Sequence, residues 1–314
     1  MKIDNKFIII IISIIGLYVA FLITSDVNVI LNKISNFKIE FIPIILSFVI
    51  STWFILFARW HLLLKNLDII IPKKQSFVIF VSGFALTILP GKIGELIKSQ
   101  LIKKKFGVPR TKTVPIVITE QLYSMIGIIA VSIFGIWNFE LGIYIMSIFT
   151  ILLIFIFVLI SSKKLFERFL NLIKRIRFIS KFSENLSYSH EIVSKSTKGR
   201  IVFYASGLSI LFWLMESITV YFVLLAFGIN SVGLLKIIPT YTTSIILGVA
   251  SFLPLGIGVV EGSLAGFLTL LNIDISISLT LVIIIRIFTR WFTVSVGFIA
   301  LKLSGGLSSQ HDSE

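Results

Sequence analysis

Seven charged residues fall inside apolar stretches of this sequence: Lys92, Glu95, Glu120, Glu216, Glu261, Arg286 and Arg290. A charge at the centre of a lipid bilayer costs about 2.5–3.5 kcal/mol, so such groups face the protein interior and pair with one another. Buried lysine and arginine bind anions, phosphate among them. The carboxylates would hold these bases in place, or carry protons or a cationic headgroup.

Two similar motifs carry several of these charges. The first runs from Pro90 to Glu95 (PGKIGE) and the second from Pro254 to Glu261 (PLGIGVVE). Each breaks an apolar run with proline and glycine, so a new helix begins close to the break. Free amides at a helix start, with the positive end of its dipole, favour an anion. We predict one lipid-headgroup site formed by Pro90, Gly91, Lys92, Gly94, Glu95, Glu120, Pro254, Gly256, Gly258, Glu261, Arg286 and Arg290.

The composition makes a bilayer the solvent for this chain. Of 314 residues, 56% are hydrophobic, and the mean hydropathy of +1.03 is too high for a soluble domain of this size. The net charge of +14 follows the positive-inside rule, and no nucleic-acid-binding motif accompanies it. Cysteine is absent and the three histidines lie far apart, so we expect no disulfide, metal site or cofactor.

The hydrophobic stretches predict an all-α polytopic membrane protein. Six of them are long enough to cross a bilayer: about 7–24, 41–64, 114–137, 141–161, 201–227 and 277–301. Four are short: 75–89, 92–105, 236–252 and 256–271. About 15 residues rising about 1.5 Å each do not cross a core of about 30 Å. We interpret the short pairs as two re-entrant helical hairpins with tips at Pro90-Gly91 and Pro254. For the first pair, the alternative is a tilted helix followed by a surface helix.

The order span–hairpin–span occurs twice, in 41–137 and in 201–301. Loop charges predict opposite orientations for these two halves, with both termini cytoplasmic in the cell (inner) membrane. Paired interrupted helices in inverted halves are typical of a transport site near the bilayer midplane. Residues 1–302 would form a single transmembrane domain, followed by a disordered tail, 303–314. We also predict that Pro90 and Pro254 lie close together.

The loop 162–200 carries ten Lys/Arg and three acidic residues, a net charge of +7. Apolar residues recur at helical spacing between Leu165 and Ile176, which predicts an interfacial helix lying on anionic lipid. The alternative is a cytoplasmic loop that only fixes the topology.

The motif residues carry a resemblance to a known family. The sequence resembles the flippase-like family named for the transmembrane region of lysylphosphatidylglycerol synthases, over about residues 7–301. The resemblance rests on the motif Pro90–Glu95, on Glu120, on the motif Pro254–Glu261 and on Arg286. The chain departs from the family pattern at Lys92 (usually Arg), at Gln121 (often Arg) and at Leu255 (usually a small residue).

The resemblance implies lipid translocation or the handling of lipid-linked sugars. The chain leaves no room for the soluble aminoacyl-transfer domain of the fused synthases, so we expect no lysine transfer and no enzyme activity. Membrane lipids, either an anionic phospholipid or a polyprenyl-phosphate-linked lipid, are the expected partners. The oligomeric state stays open.

Other interpretations remain at this stage. A membrane-embedded glycosyl- or phosphotransferase would need acidic loop residues for a metal–nucleotide substrate, whereas these loops are basic and lack an Asp-x-Asp pair. A scaffold without transport is the third possibility, with the buried charges serving only to pin the helices together. Glu120 and Glu216 stay open between a functional and a structural role. Arg59 and His61 are assigned no site, because they lie near a helix end and can reach the interface.

Overall fold

The computed structural model describes residues 37–89, 94–134, 137, 140–173 and 183–305. All regular structure in these ranges is helical, which confirms the all-α prediction. The helices are α1 (Ile42–Asn66), α2 (Lys73–Ala85), α3 (Ile97–Phe106), α4 (Arg110–Ser132), α5 (Glu140–Ser161), α6 (Lys163–Ile173), α7 (Ser183–Ser196), α8 (Arg200–Ala226), α9 (Leu234–Ala250), α10 (Val259–Leu270), α11 (Ile275–Arg286) and α12 (Phe292–Leu303). Short 3₁₀ turns precede α1 and α10, and a π-helical turn, Ile287–Trp291, joins α11 to α12.

Five helical segments are long and apolar enough to cross a membrane. They are Ile39–Asn66, Arg110–Ser132, Gly142–Ile160, Arg200–Ala226 and Ile275–Leu303. These coincide with five of the six predicted spans, and the sixth, 7–24, lies outside the described residues. Of the predicted tail, Leu303 ends α12 and Ser304 and Gly305 form a turn, while 306–314 lie outside the described residues.

Helices α2 and α3 fold back on each other. A Cβ atom placed on Gly94 would overlap the backbone of Leu86, and one placed on Gly83 would lie 3.0 Å from the side chain of Lys98. The two contacts, one near the break and one further away, show that the helices run antiparallel. Whether this pair enters a membrane and returns to the same side, or is a tilted helix followed by a surface helix, stays a prediction.

Helices α9 and α10 form the second hairpin. Gly248 near the end of α9 packs against Gly256 in the turn, where a Cβ atom on Gly256 would lie 2.8 Å from the Cα of Gly248. Val260 on α10 closes the same contact. Whether the two hairpins enter a membrane from opposite sides stays a prediction.

The two halves pack as an interlocked pair. Helices α1 and α8, the first of each half, run antiparallel: Phe48 stacks on Phe222, Arg59 bonds Ser209, and the N–H of Lys38 donates to Ala226. The last helix of each half packs against the hairpin of the other, α12 on α2 and α4 on α9. These contacts join the two halves on both sides.

Close helix packing at Gly297 gives a testable prediction. A Cβ atom on Gly297 of α12 would lie 2.4 Å from the backbone nitrogen of Ala85 in α2. Gly297→Ala will therefore separate α12 from α2 and lower stability by about 1–3 kcal/mol. Thermal unfolding in detergent micelles measures the effect.

The matched control for that substitution is Gly207→Ala in α8, because among the described residues no atom beyond its own helix turn lies within 4 Å of a Cβ placed there. It should be neutral or slightly stabilising, since alanine favours a helix over glycine by up to about 1 kcal/mol. Equal melting temperatures for the two variants would contradict the close contact between α12 and α2.

The basic loop contains helices of its own. Helix α6 covers the segment for which the sequence predicts an interfacial helix, although Ile176 lies outside the described residues. Its Leu165 and Phe169 side chains are exposed. Helix α7 packs on α4, where the hydroxyl of Tyr123 donates to the carbonyl of Ser196.

Candidate functional site

A cavity of about 340 Å³ lies inside the helical bundle. Four long segments each line it with one stripe of side chains spaced three or four residues apart, which is the period of a helix face. The stripes are Thr52, Trp53, Leu56 and Arg59 on α1; Glu120, Gln121, Ser124 and Met125 on α4; Phe212, Trp213 and Glu216 on α8; and Arg286, Thr289, Arg290, Thr293 and Val294 on α11–α12.

Both hairpins reach this same cavity. The first contributes Leu89 and Glu95, on either side of its break. The second contributes Leu253, Leu255 and Gly256, on either side of Pro254. The two tips therefore face one space, although Pro90 itself lies outside the described residues.

The first charged cluster consists of Lys98, Glu95 and Glu120. The Nζ atom of Lys98 donates to Glu120 at 2.6 Å and to Glu95 at 3.2 Å. Lys98 and Glu120 are both only 2% exposed. The ammonium also lies 4.6 Å from the centroid of the Trp60 ring, a cation–π contact. The lysine stem passes over Gly83, where a larger residue would obstruct it.

The second charged cluster consists of Glu216, Tyr241 and Arg290. One carboxylate oxygen of Glu216, Oε2, accepts from the Tyr241 hydroxyl at 2.6 Å and from Nη2 of Arg290 at 3.0 Å. The three residues come from α8, α9 and the π-helical turn. This cluster joins the second hairpin to two long helices.

A third buried pair joins Glu261 to Arg286. Nε of Arg286 donates to Glu261 at 2.8 Å, and its Nη2 donates to the carbonyl of Leu255 at 2.7 Å. The other carboxylate oxygen of Glu261 accepts from the backbone N–H of Gly258 at 2.7 Å, at the start of α10. Arg286 on α11 thus holds both the tip and the second arm of the second hairpin.

Each half contains the same kind of buried ion pair, with the positions of the positive and the negative residue exchanged. In each half, the second arm of the hairpin forms a buried ion pair with the long helix that follows it. The cation lies on the hairpin in the first half (Lys98 with Glu120) and on the long helix in the second (Arg286 with Glu261). Burying such pairs is costly, and removing one partner costs about 3–5 kcal/mol.

The π-helical turn lies between the two arginines. Ile287–Trp291 follows Arg286 directly and contains Arg290. Single π-helical turns occur frequently at functional sites. As the spacing of four predicts, both arginines reach the same cavity.

Leu255 adopts a backbone conformation that suits glycine. Its φ is 52°, and a left-handed conformation costs a residue with a Cβ atom roughly 1–2 kcal/mol. Leu255→Gly will raise stability by up to about 1 kcal/mol, measured by thermal unfolding.

The control for that substitution is Leu253→Gly, because Leu253 lies in the same turn with a φ of −71°. There glycine only increases the freedom of the unfolded chain, so this variant should be neutral or less stable. If Leu255→Gly destabilised the protein as much as Leu253→Gly, the claim that the backbone is strained at Leu255 would be contradicted.

The structure brings together only part of the predicted site. Glu95, Glu120, Gly256, Arg286 and Arg290 line the cavity.

The remaining predicted residues behave differently. Pro90, Gly91 and Lys92 lie outside the described residues. Gly94, Pro254 and Gly258 shape the hairpin turns and are not among the lining residues, and Glu261 lies behind Arg286. Glu261 bonds Arg286, a cation of its own half, and also accepts from the backbone N–H of Gly258 at the start of α10.

Sequence reasoning missed two cations. Lys98, which is absent from the predicted site, is buried. Arg59 is only 4% exposed instead of reaching an interface, so its interpretation was wrong. The signal for Arg59 was present, since Thr52, Leu56 and Arg59 lie on one helix face with Trp53 beside it. Lys98 lies three residues after Glu95, the spacing of a helical ion pair.

Together, the long apolar helices, the paired short helices and the buried ion pairs define a multi-pass α-helical membrane protein. The chain belongs to the family described as the lysylphosphatidylglycerol synthase TM region, whose sequence profile matches residues 8–297.

Two archaeal proteins are similar to this chain. One, a UPF0104 membrane protein of Methanothermobacter thermautotrophicus, is 24% identical over 294 residues, covering 85% of this chain and 86% of that protein. Another, a UPF0104 membrane protein of Methanocaldococcus jannaschii, is 25% identical over 229 residues, covering 69% of this chain and 92% of that protein.

Proposed function

We propose that this protein is a lipid translocase of the cell membrane, and not an enzyme. It would move an anionic phospholipid or a polyprenyl-phosphate-linked lipid between leaflets. The headgroup would pass through the charged cavity while the acyl or prenyl tails stay in the surrounding lipid. The observation that carries the proposal is the cavity shared by both hairpin tips, which is lined by four cations and three carboxylates inside a bundle of apolar helices.

Several features of the cavity support this proposal. Its volume of about 340 Å³ falls within the usual range for small-ligand pockets. Aromatic residues such as Trp53, Trp213 and Phe212 share its walls with the charged groups. Such a mixed surface suits a molecule with a polar headgroup and an apolar tail.

The arrangement of carboxylates speaks against a metal-dependent transferase. Glu120, Glu216 and Glu261 each bond a lysine or an arginine in the described structure. A carboxylate that neutralises a cation has less charge to offer a divalent metal–nucleotide complex. The same bonds neutralise the cations, so among the described lining residues a phosphate would find positive charge without a carboxylate partner at Arg59.

The test is lipid movement in reconstituted vesicles. The full-length protein is placed in phosphatidylcholine vesicles that contain a trace of fluorescent phosphatidylglycerol or fluorescent polyprenyl phosphate. Dithionite added outside the vesicles destroys the fluorescence of the outer leaflet only. The rate at which the inner-leaflet fluorescence is then lost gives the rate at which lipid moves to the outer leaflet.

The proposal predicts that, for at least one of these anionic lipids, the inner-leaflet fluorescence is lost faster than in protein-free vesicles. The Arg286→Ala variant should show a markedly lower rate. Rates equal to protein-free vesicles for every lipid tested would overturn the proposal. Turnover of a nucleotide sugar by the same preparation would favour the transferase instead.

A further inference from the structure

Arg59 differs from the other cations that line the cavity. Lys98, Arg286 and Arg290 each have a carboxylate within 4.0 Å. Within the described ranges, Arg59 forms no such pair, and its one hydrogen bond is from Nη1 to the hydroxyl of Ser209 at 2.7 Å. The Nε atom is buried without a hydrogen-bond partner among these residues.

The bond to Ser209 leaves one edge of the guanidinium available. Arginine carries five N–H donors in a planar fork, and the Nε–Nη2 edge offers two parallel donors to the oxygens of a phosphate. Ser209 holds Nη1, so the plane is fixed before a ligand arrives. A side chain that is 4% exposed and already oriented loses little entropy on binding.

The neighbours of Arg59 limit the charge of such a ligand. The carboxylates of Glu120 and Glu95 interact electrostatically with Arg59 without bonding it. They would repel a second negative charge in the same space. A phosphodiester with one negative charge therefore fits better than a phosphomonoester with up to two.

From these contacts we propose that Arg59, rather than Arg286 or Arg290, binds the phosphate of a phosphodiester headgroup through its Nε–Nη2 edge. The inference rests on the proposed function, because it names the anion-binding residue of that same cavity. It also limits the substrate class to phosphodiester lipids.

Binding is measured on the full-length protein in detergent by its tryptophan fluorescence, since Trp53 and Trp213 line the cavity. The probes are dihexanoylphosphatidylglycerol as diester, dihexanoylphosphatidic acid as monoester, and inorganic phosphate as an anion without a lipid. We expect the diester to bind more tightly than the monoester, and more tightly than free phosphate.

Substitutions assign the site. Arg59→Lys keeps the charge but loses the fork, so the Kd for the diester should rise at least tenfold, and Ser209→Ala should raise it a few-fold. Arg110→Lys, at an exposed position of α4, is the matched control and should leave the Kd unchanged. Melting temperatures confirm that each variant is folded.

Three results would overturn the inference: no binding of the diester to the wild type, tighter binding of the monoester, or a Kd of folded Arg59→Lys within twofold of the wild type. The outcome is separable from that of the proposed function. Arg59-dependent binding without lipid movement would refute translocation alone, whereas lipid movement unaffected by Arg59→Lys would refute this inference alone.

Discussion

Lys98→Met is expected to lower the free energy of unfolding by about 3–5 kcal/mol, one of the two largest effects of a single substitution proposed for this protein. The change removes the ammonium that Glu120 and Glu95 share, at 2.6 Å and 3.2 Å. Methionine fills a similar volume, so the loss arises from the uncompensated carboxylates rather than from a void. Equilibrium unfolding in mixed micelles, followed by tryptophan fluorescence, measures it.

Two further variants separate charge from packing in this cluster. Lys105→Met lies on the same helix, α3, but at an exposed position, and should change stability by less than about 0.5 kcal/mol. Adding Glu120→Gln to Lys98→Met should recover part of the loss, since one buried charge is then removed. If the Lys98→Met protein were as stable as the Lys105→Met control, the claim that Lys98 neutralises the buried carboxylates of the first charged cluster would be wrong.

The second large effect concerns Arg286 and Glu261. Arg286→Met should destabilise the protein by a similar amount, about 3–5 kcal/mol, because Glu261 is 1% exposed and loses its cation. It should also slow lipid movement about tenfold or more. Arg286 lines the cavity and holds the carbonyl of Leu255, so its loss frees the second hairpin tip.

A double variant distinguishes stability from function at this pair. In Glu261→Gln with Arg286→Met, the buried carboxylate is gone, while the amide oxygen still accepts from the N–H of Gly258. Stability should therefore recover substantially, because a neutral pair needs no partner charge. Lipid movement should stay slow. Recovery of both properties together would assign Arg286 a structural role only.

The elements of the fold could be predicted from the sequence because lipid leaves few options. Apolar stretches of about 20 residues must be helical when they cross a bilayer, so 201–227 predicts α8 within about a residue. The motif starting at Pro254 also marks the second break, because glycines accompany the proline there. Proline alone does not mark a break, since Pro115 and Pro239 lie inside α4 and α9.

The pairing of charges was harder to predict. A sequence shows that Glu120 needs a cation, but several basic residues are close enough in the chain to supply one. The choice of Lys98 depends on how α3 folds back against α2, where Gly83 makes room for the lysine stem. That contact arises from the packing of two helices, so the spacing of residues in the sequence does not predict it.

Arg59 illustrates a different difficulty. Near the end of a hydrophobic stretch, an arginine can extend towards an interface, and sequence alone favours that interpretation. The antiparallel packing of α1 on α8 instead places Ser209 beside it and buries the guanidinium. The role of a charged residue near the end of a hydrophobic stretch can therefore be assigned only when the helix packed against it is known.

The natural absence of cysteine allows the most direct test of the central claim, that the headgroup passes between the two hairpin tips. Thr87 lines the cavity beside the first tip, and Ser147 is exposed on the outer face of α5. Thr87→Cys and Ser147→Cys proteins are labelled to completion in detergent with a bulky maleimide, checked by mass and reconstituted. Lipid movement should stop in the labelled Thr87→Cys protein and continue in the labelled Ser147→Cys protein. Unchanged movement through fully labelled Thr87→Cys protein would contradict the claim.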